Sequence, residues 1–254
     1  MAEPIYCRWE PSGQTQAIFA FDESKIKRAN DDRFGTKSGS QTTAKSESKS
    51  PDTSTVGDDK VSAVSKAIGK QVEPESVVRL AGAASGADVN VFDDGGGEVY
   101  MRAKGSEHVS SVSIDNGKMY LERMKVNKRS QGKGIGTTLV HGMADEASKQ
   151  GIKSIGLTAA RSRGYNGYYT WPRLGFDGDL TRDIVNRKKN PWKPKEKADM
   201  KAMGAKRVSD LMKTPKGREW WKKHGKTMKL TLDVSDESVG MKALNAAYRR
   251  VQEK

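Results

Sequence analysis

The chain has 254 residues, with 46 Lys and Arg against 32 Asp and Glu, a net charge of +14. That length accommodates one large or two small domains. Leu, Ile, Val and Phe together make up about 17% of it, below the roughly 20% under which a highly charged chain is expected to hold unpacked segments. No run approaches ~18 consecutive apolar residues, which excludes a membrane-spanning helix. The N-terminus lacks a basic stretch followed by an apolar run, so no secretory signal is expected. A single cysteine, Cys7, excludes an internal disulfide framework. The three histidines His108, His141 and His224 are too scattered to suggest a metal site. A reducing, cytoplasmic setting fits this usage.

In chain order, residues 1–34 read as an N-terminal arm with one apolar patch, Ala17-Ile18-Phe19-Ala20-Phe21, that suits a strand or a docking tail. Residues 35–58 read as a flexible Ser/Thr-rich linker, because almost nothing there can be buried to offset the entropy of ordering. A domain is expected over 59–254. Val61, Val64, Ala67 and Ile68 fall at helical spacing, and a second helical stretch follows Pro74. The period then changes to two. Asp88–Asp93, Glu98–Lys104, His108–Ile114 and Lys118–Val126 read as strands, joined by Asp- and Gly-rich turns that tolerate positive φ. A Gly-rich loop and a helix follow, with Leu139, Val140, Met143, Ala144 and Ala147 on one face and Gly151 as its stop. Ser154–Ala160 reads as the next strand. A strand, loop, helix, strand order implies a parallel pair inside a mostly antiparallel sheet. The segment 181–226 reads as helical pieces broken by Pro191, Pro194 and Pro215. Thr227–Val234 then reads as a last strand and Glu237–Glu253 as a closing helix.

The charge is concentrated. Thr181–Lys229 holds 17 Lys and Arg and 5 Asp and Glu, a net +12, which leaves only +2 for the rest of the chain. Such a block points to an anionic partner such as nucleic acid, or to a solvated face. Trp220 and Trp221 sit among Arg218, Lys222, Lys223 and Lys226. They suit stacking on bases, or anchoring this helix against the core.

The loop Gln131-Gly132-Lys133-Gly134-Ile135-Gly136-Thr137 lies between a strand and a helix N-terminus. Its glycines let backbone approach an anion, and the first helical N–H groups and the helix dipole face that anion. This is a pyrophosphate cradle on physical grounds. A nucleoside-triphosphatase loop would need Gly-Lys-Ser/Thr before its helix, and a dinucleotide fingerprint would need GxGxxG. The spacing here is GxGxG.

Gln131, Gly134 and Gly136, five residues and more beyond Val126, resemble the acyl-coenzyme-A loop of the GNAT acetyltransferase superfamily. Leu174-Gly175-Phe176 resembles the ending of that family's second motif. The resemblance spans roughly Glu98 to Leu180. It implies an α/β fold with a mixed, mostly antiparallel sheet and flanking helices, carrying a basic helical insertion before the last strand. It also implies acetyl-coenzyme A as co-substrate and an amine as acceptor. Pantetheine would lie between the ends of the strands at 118–126 and 154–160. Met124, Val126, Gln131, Gly132, Lys133, Gly134, Ile135, Gly136 and Thr137 would hold the cofactor.

Acyl transfer to an amine needs a base for the amine proton and a donor for the leaving thiolate. The family's donor is often a tyrosine four residues before the glycine of Gly-Phe, a position held here by Trp171, with Tyr168 and Tyr169 close by. Its base is commonly a glutamate six residues before the valine, where this chain has Tyr120. Glu122 follows two residues later, on the same face of a strand. Glu122, Tyr169 and Tyr168 are therefore the candidate catalytic residues. Each also has a plain reading, as a surface ion-pair partner or as packing around Trp171 and Pro172.

Phe21–Arg28 with Asp31–Phe34 resembles short segments of bacteriophage head-associated proteins, and Thr214–Trp221 resembles phage-encoded GNAT-like proteins. That resemblance implies a virion-associated or host-cytoplasmic protein with virion partners. It sets a non-catalytic structural or DNA-associated role beside the acyltransferase.

Overall fold

The computed structural model describes residues 53, 56–162, 166–185, 188 and 190–254. The arm expected over 1–34, with its Ala17–Phe21 patch, and most of the linker expected over 35–58 lie outside the described residues.

Two helices open the fold. Helix α1 spans Asp58–Ile68 and buries Val61, Val64 and Ala67; α2 spans Pro74–Leu80 and buries Val77, Val78 and Leu80. Four strands follow with the expected alternation: β1 Asp88–Asp93, β2 Glu98–Lys104, β3 His108–Asp115 and β4 Lys118–Val126. Then come α3 (Ile135–Lys149), β5 (Ser154–Ala159), α4 (Gly167–Arg173), α5 (Pro194–Ala202), α6 (Val208–Met212), α7 (Pro215–His224), β6 (Met228–Asp233) and α8 (Val239–Gln252). The strands form one six-stranded sheet in the order β1-β2-β3-β4-β5-β6. Every neighbouring pair is antiparallel except β4 with β5, as the intervening helix requires.

The sheet has an apolar face and a polar one. Met101, Val112, Leu121, Leu157 and Leu230 share the first, in one hydrophobic core with α1, α2 and α3. Tyr100, Ser113, Tyr120, Gly156 and Thr231 share the second. Leu121 and Met124 are both buried although three apart, a spacing that sends side chains to opposite faces of a regular strand. The β3–β4 register resolves this: Val112 opposes Leu121 and Ser111 opposes Arg123, so Glu122 is the extra residue of a β-bulge. A bulge of this kind bends the strand that carries it. Strands β4 and β5 pair only at Met119↔Ile155 and Tyr120↔Gly156. Beyond that they splay, and the cleft opens between their C-terminal ends.

The free side of β6 is covered. Asp177 bridges Thr231, and Ile184 bridges Met228, so the segment entering the basic insertion runs along that edge. Within the insertion the helical pieces part at the prolines as expected, and Pro194 and Pro215 stand at the first positions of α5 and α7. At the first helical position proline's missing N–H costs nothing and its fixed φ is already helical. Trp192, Met200, Val208, Leu211 and Trp221 bury into the common core. Helix α4 was not expected at all.

Candidate active site

The chain between β4 and α3 is held by its own polar groups. The Asn127 amide donates to the Glu107 carbonyl at 2.7 Å, and the Ser130 hydroxyl to the Glu107 carboxylate at 2.7 Å. The Gln131 side-chain amide donates back to the Val126 carbonyl at 3.0 Å. Gln131 thus ties the loop closed, a different job from facing a ligand directly. Gly132 and Gly134 adopt φ of 80° and 83°, and Gly134 is the residue preceding α3. The first turn of α3 has no side-chain cap and no acidic residue. Lys133 is exposed beside it. The amides of Ile135, Gly136 and Thr137 therefore present a positive end suited to a diphosphate.

The glycines differ in what they serve. A side chain on Gly134 would collide with the Val251 side chain of α8 and would hold a strained φ. Its identity is explained by the fold. Gly136 is an ordinary helical residue, and a Cβ there would meet only Val126 Cγ2, at 3.6 Å, an ordinary contact. Glycine inside a helix costs about 1 kcal/mol relative to alanine, and the packing of the protein itself does not require it here. An unneeded glycine on the first turn, beside the strand end, is what close approach of a ligand backbone would demand.

Glu122 is half-buried at the bulge, on the polar face, and accepts a hydrogen bond from the Ser113 hydroxyl at 3.0 Å. Burial pushes its carboxyl up to about 7, with the nearby Glu98 adding to the shift and the Ser113 hydrogen bond opposing it. A base poised near neutrality is what proton abstraction from an ammonium requires. Tyr120, in the position of the family glutamate, is 42% exposed and packs over Gly156. Met124 is buried under the same strand end, with Val126 half-exposed at the mouth of the splay.

The two tyrosines of α4 separate. Tyr168 is buried, and its hydroxyl donates to the Lys222 carbonyl at 2.8 Å while Arg161 stacks on its ring at 4.8 Å. Its backbone carbonyl accepts from the Trp221 indole at 2.8 Å. Tyr168 is accordingly a joint between α4 and α7. Tyr169 is half-buried, with Arg173 and Lys222 over its ring at 5.5 and 5.8 Å. Trp171 is fully buried and meets Phe176 edge-on at 5.1 Å. Gly175, in the Leu-Gly-Phe ending, has φ 93° and lies against the Gly240 backbone of α8.

Two participants escaped the sequence reading. Ser113 belongs to the site only because β3 pairs with β4. Val251 reaches the loop from more than a hundred residues away. Helix α8 is tied along α3 by the His141–Tyr248 stack at 3.9 Å and the His141–Asn245 hydrogen bond at 3.0 Å. Neither residue belongs to a local motif.

Residues 84–186 match the model of the acetyltransferase (GNAT) domain. The match covers 103 of the 254 residues and includes β1 to β5, the loop and α4. The mixed six-stranded sheet with flanking helices is consistent with the GNAT fold. Among solved structures, a nourseothricin acetyltransferase is 14% identical over 57% of this chain and 71% of its own, with a TM-score of 0.32. The ribosomal-protein-S18-alanine N-acetyltransferase of Escherichia coli is 11% identical over 73% of this chain and 95% of its own, with a TM-score of 0.31. No curated protein matches the chain. No helix among the described residues is long and apolar enough to cross a membrane.

Proposed function

We propose that the chain is an acetyl-coenzyme-A-dependent N-acetyltransferase. GNAT acetyltransferases use acetyl-coenzyme A, and the α3 N-terminus, Lys133 and the β4–β5 splay suit its diphosphate and its extended pantetheine arm. The observation that carries the reading is Gly136, a helical glycine at the mouth of the cleft for which the fold has no use of its own. In the reaction the amine nitrogen attacks the thioester carbonyl. A C–N bond forms, the C–S bond breaks, and the amine proton passes to the Glu122 carboxylate. Tyr169 is the residue assigned to protonate the leaving thiolate, since the Tyr168 hydroxyl is committed to the Lys222 carbonyl.

The test is calorimetric titration with acetyl-coenzyme A. Gly136→Val is expected to abolish binding while leaving the melting temperature within a few degrees, because the added side chain obstructs the ligand and not the fold. Gly134→Ala is expected to lower the melting temperature through φ strain and the Val251 collision. No heat from the wild-type protein at millimolar ligand, or undiminished binding by Gly136→Val, refutes the reading.

A second reading, a non-catalytic phage structural or DNA-associated protein built on the same fold, draws on Trp171 occupying the family's tyrosine position. It predicts acetyl-coenzyme A binding without turnover on any amine, and recovery of the chain in purified particles.

A further inference from the structure

The basic insertion sorts its charges by depth. Of the 15 described Lys and Arg between 181 and 229, 13 are exposed, whereas four of the five acidic residues are half-buried. Those four are engaged within the insertion, Asp183 and Asp210 also with the exposed Arg182 and Lys213 at 3.3 and 3.0 Å. Glu196 lies 3.7 Å from the Lys226 ammonium and 3.4 Å from His224. Asp199 accepts from the Trp220 indole at 3.1 Å. Asp210 takes the amides of Lys206 and Arg207 at 3.1 and 3.0 Å, and Asp183 takes the amide of Asp179 at 2.8 Å. Helices α5 and α7 meet through Asp199 with Trp220 and Glu196 with His224, and Trp192, just before α5, packs on Trp220. Their outer sides carry Lys195, Lys201, Lys216 and Lys223, all exposed and none ion-paired among the described residues. Among the described residues of the insertion the exposed charges therefore amount to +12, against +10 for exposed and buried together.

The aromatics point the other way. Trp192 and Trp221 are buried and Trp220 is half-buried against them. The exposed large apolar residues among those described are Phe92, Tyr120 and Val239, none of them in the insertion. A protein partner is usually met by Tyr, Trp, Met and Arg anchors, and its interfaces are depleted in Lys. Single-stranded nucleic acid is met by exposed rings that stack on bases. A lysine surface with neither matches a regular, densely charged backbone, where affinity comes from counterion release.

We infer that the outer surface of α5 and α7 binds double-stranded nucleic acid through its phosphates, without reading sequence. This inference is independent of the acetyltransferase reading. The full chain is titrated against a fluorescent random-sequence DNA duplex, the matching single strand, polyglutamate and phosphatidylserine vesicles, at about 50 to 200 mM salt. The duplex is expected to bind tightest, with affinity falling linearly on log–log axes. Replacing Lys195, Lys201, Lys216 and Lys223 by Glu is expected to make the slope shallower by about 0.9 for each phosphate no longer neutralised, up to ~3.6 for all four. The corresponding Lys→Gln set, with its melting curve, guards against a folding defect. A control set of equal charge change at Lys66, Arg79, Lys104 and Lys118, on other elements, is expected to leave the slope unchanged. No duplex binding at micromolar protein, an equal effect of the control set, or tighter binding to polyglutamate, vesicles or single strand overturns the inference. Calorimetry with acetyl-coenzyme A on the same variants is expected to give wild-type binding, so failure here is distinct from failure of the acetyltransferase reading.

Discussion

Replacing Glu122 by Gln tests the candidate base through stability before any acceptor is known. In the folded protein the carboxyl titrates at about 7 against an ordinary 4.5, chiefly because burial disfavours its charge. The folded state therefore holds its proton more tightly than the unfolded state. Below pH 4.5 both states are protonated and no penalty arises. As pH rises from 4.5 to 7 the unfolded chain ionises first, and stability is lost. Above pH 7 the accumulated cost is about 3 kcal/mol. Glutamine keeps an acceptor for the Ser113 hydroxyl and has no charge to desolvate. The variant should match the wild type near pH 4.5 and exceed it above pH 7, by roughly 6–12 °C in melting temperature for a protein of this size. Circular-dichroism melts across that range, on both proteins in the same buffers, measure the difference directly. A melting difference that does not change with pH would refute the argument, since it would mean that Glu122 is not held at a raised pKa. The same substitution in an active preparation should lower kcat by about 10² to 10⁴ with little change in acetyl-coenzyme A affinity.

The two tyrosines of α4 should part company. Tyr168→Phe is expected to lose about 1 kcal/mol of stability with its hydrogen bond to the Lys222 carbonyl and to keep most of its turnover. Tyr169→Phe is expected to lose turnover with stability intact, and urea melts read beside initial rates distinguish the pair. His108 offers a slope opposite to that of Glu122. It is 1% exposed, and burial holds its imidazole below the ordinary 6.5, against the Gly82 backbone and Glu107, which favour the charged form. Neither ring nitrogen is in hydrogen-bonding geometry with a partner among the described residues, so the Gly82 contribution is weak. Its contribution to stability is complete above pH 6.5 and is lost as pH falls toward the folded pKa. The denaturation midpoint of the wild type should fall relative to that of His108→Met as pH is lowered through that window, and parallel curves would exclude the effect.

Periodicity alone was enough for the sheet. The strands at 88–93, 98–104 and 118–126 have the expected ends because alternation, Gly-rich turns and β-branched residues all act within a few residues of one another. The loop was legible for the same reason: glycines, strand and helix start lie in one continuous stretch. The acid–base assignments were only half-legible. Sequence placed Glu122 on a strand, but its burial and its Ser113 partner arise from a bulge and a register that only pairing decides. Gly134 and Gly136 look alike in sequence, yet Val251 explains one and nothing among the described residues explains the other. The +12 of the insertion was countable from residue types. Which charges face outward was not, because acid burial depends on Lys226, His224 and Trp220 meeting Glu196 and Asp199 across α5 and α7. Local patterns encode the elements, since their causes lie within a helical turn or a strand pair. The ionisation of the candidate base and the charge of the surface depend on contacts between distant segments, and those exist only once the chain has packed.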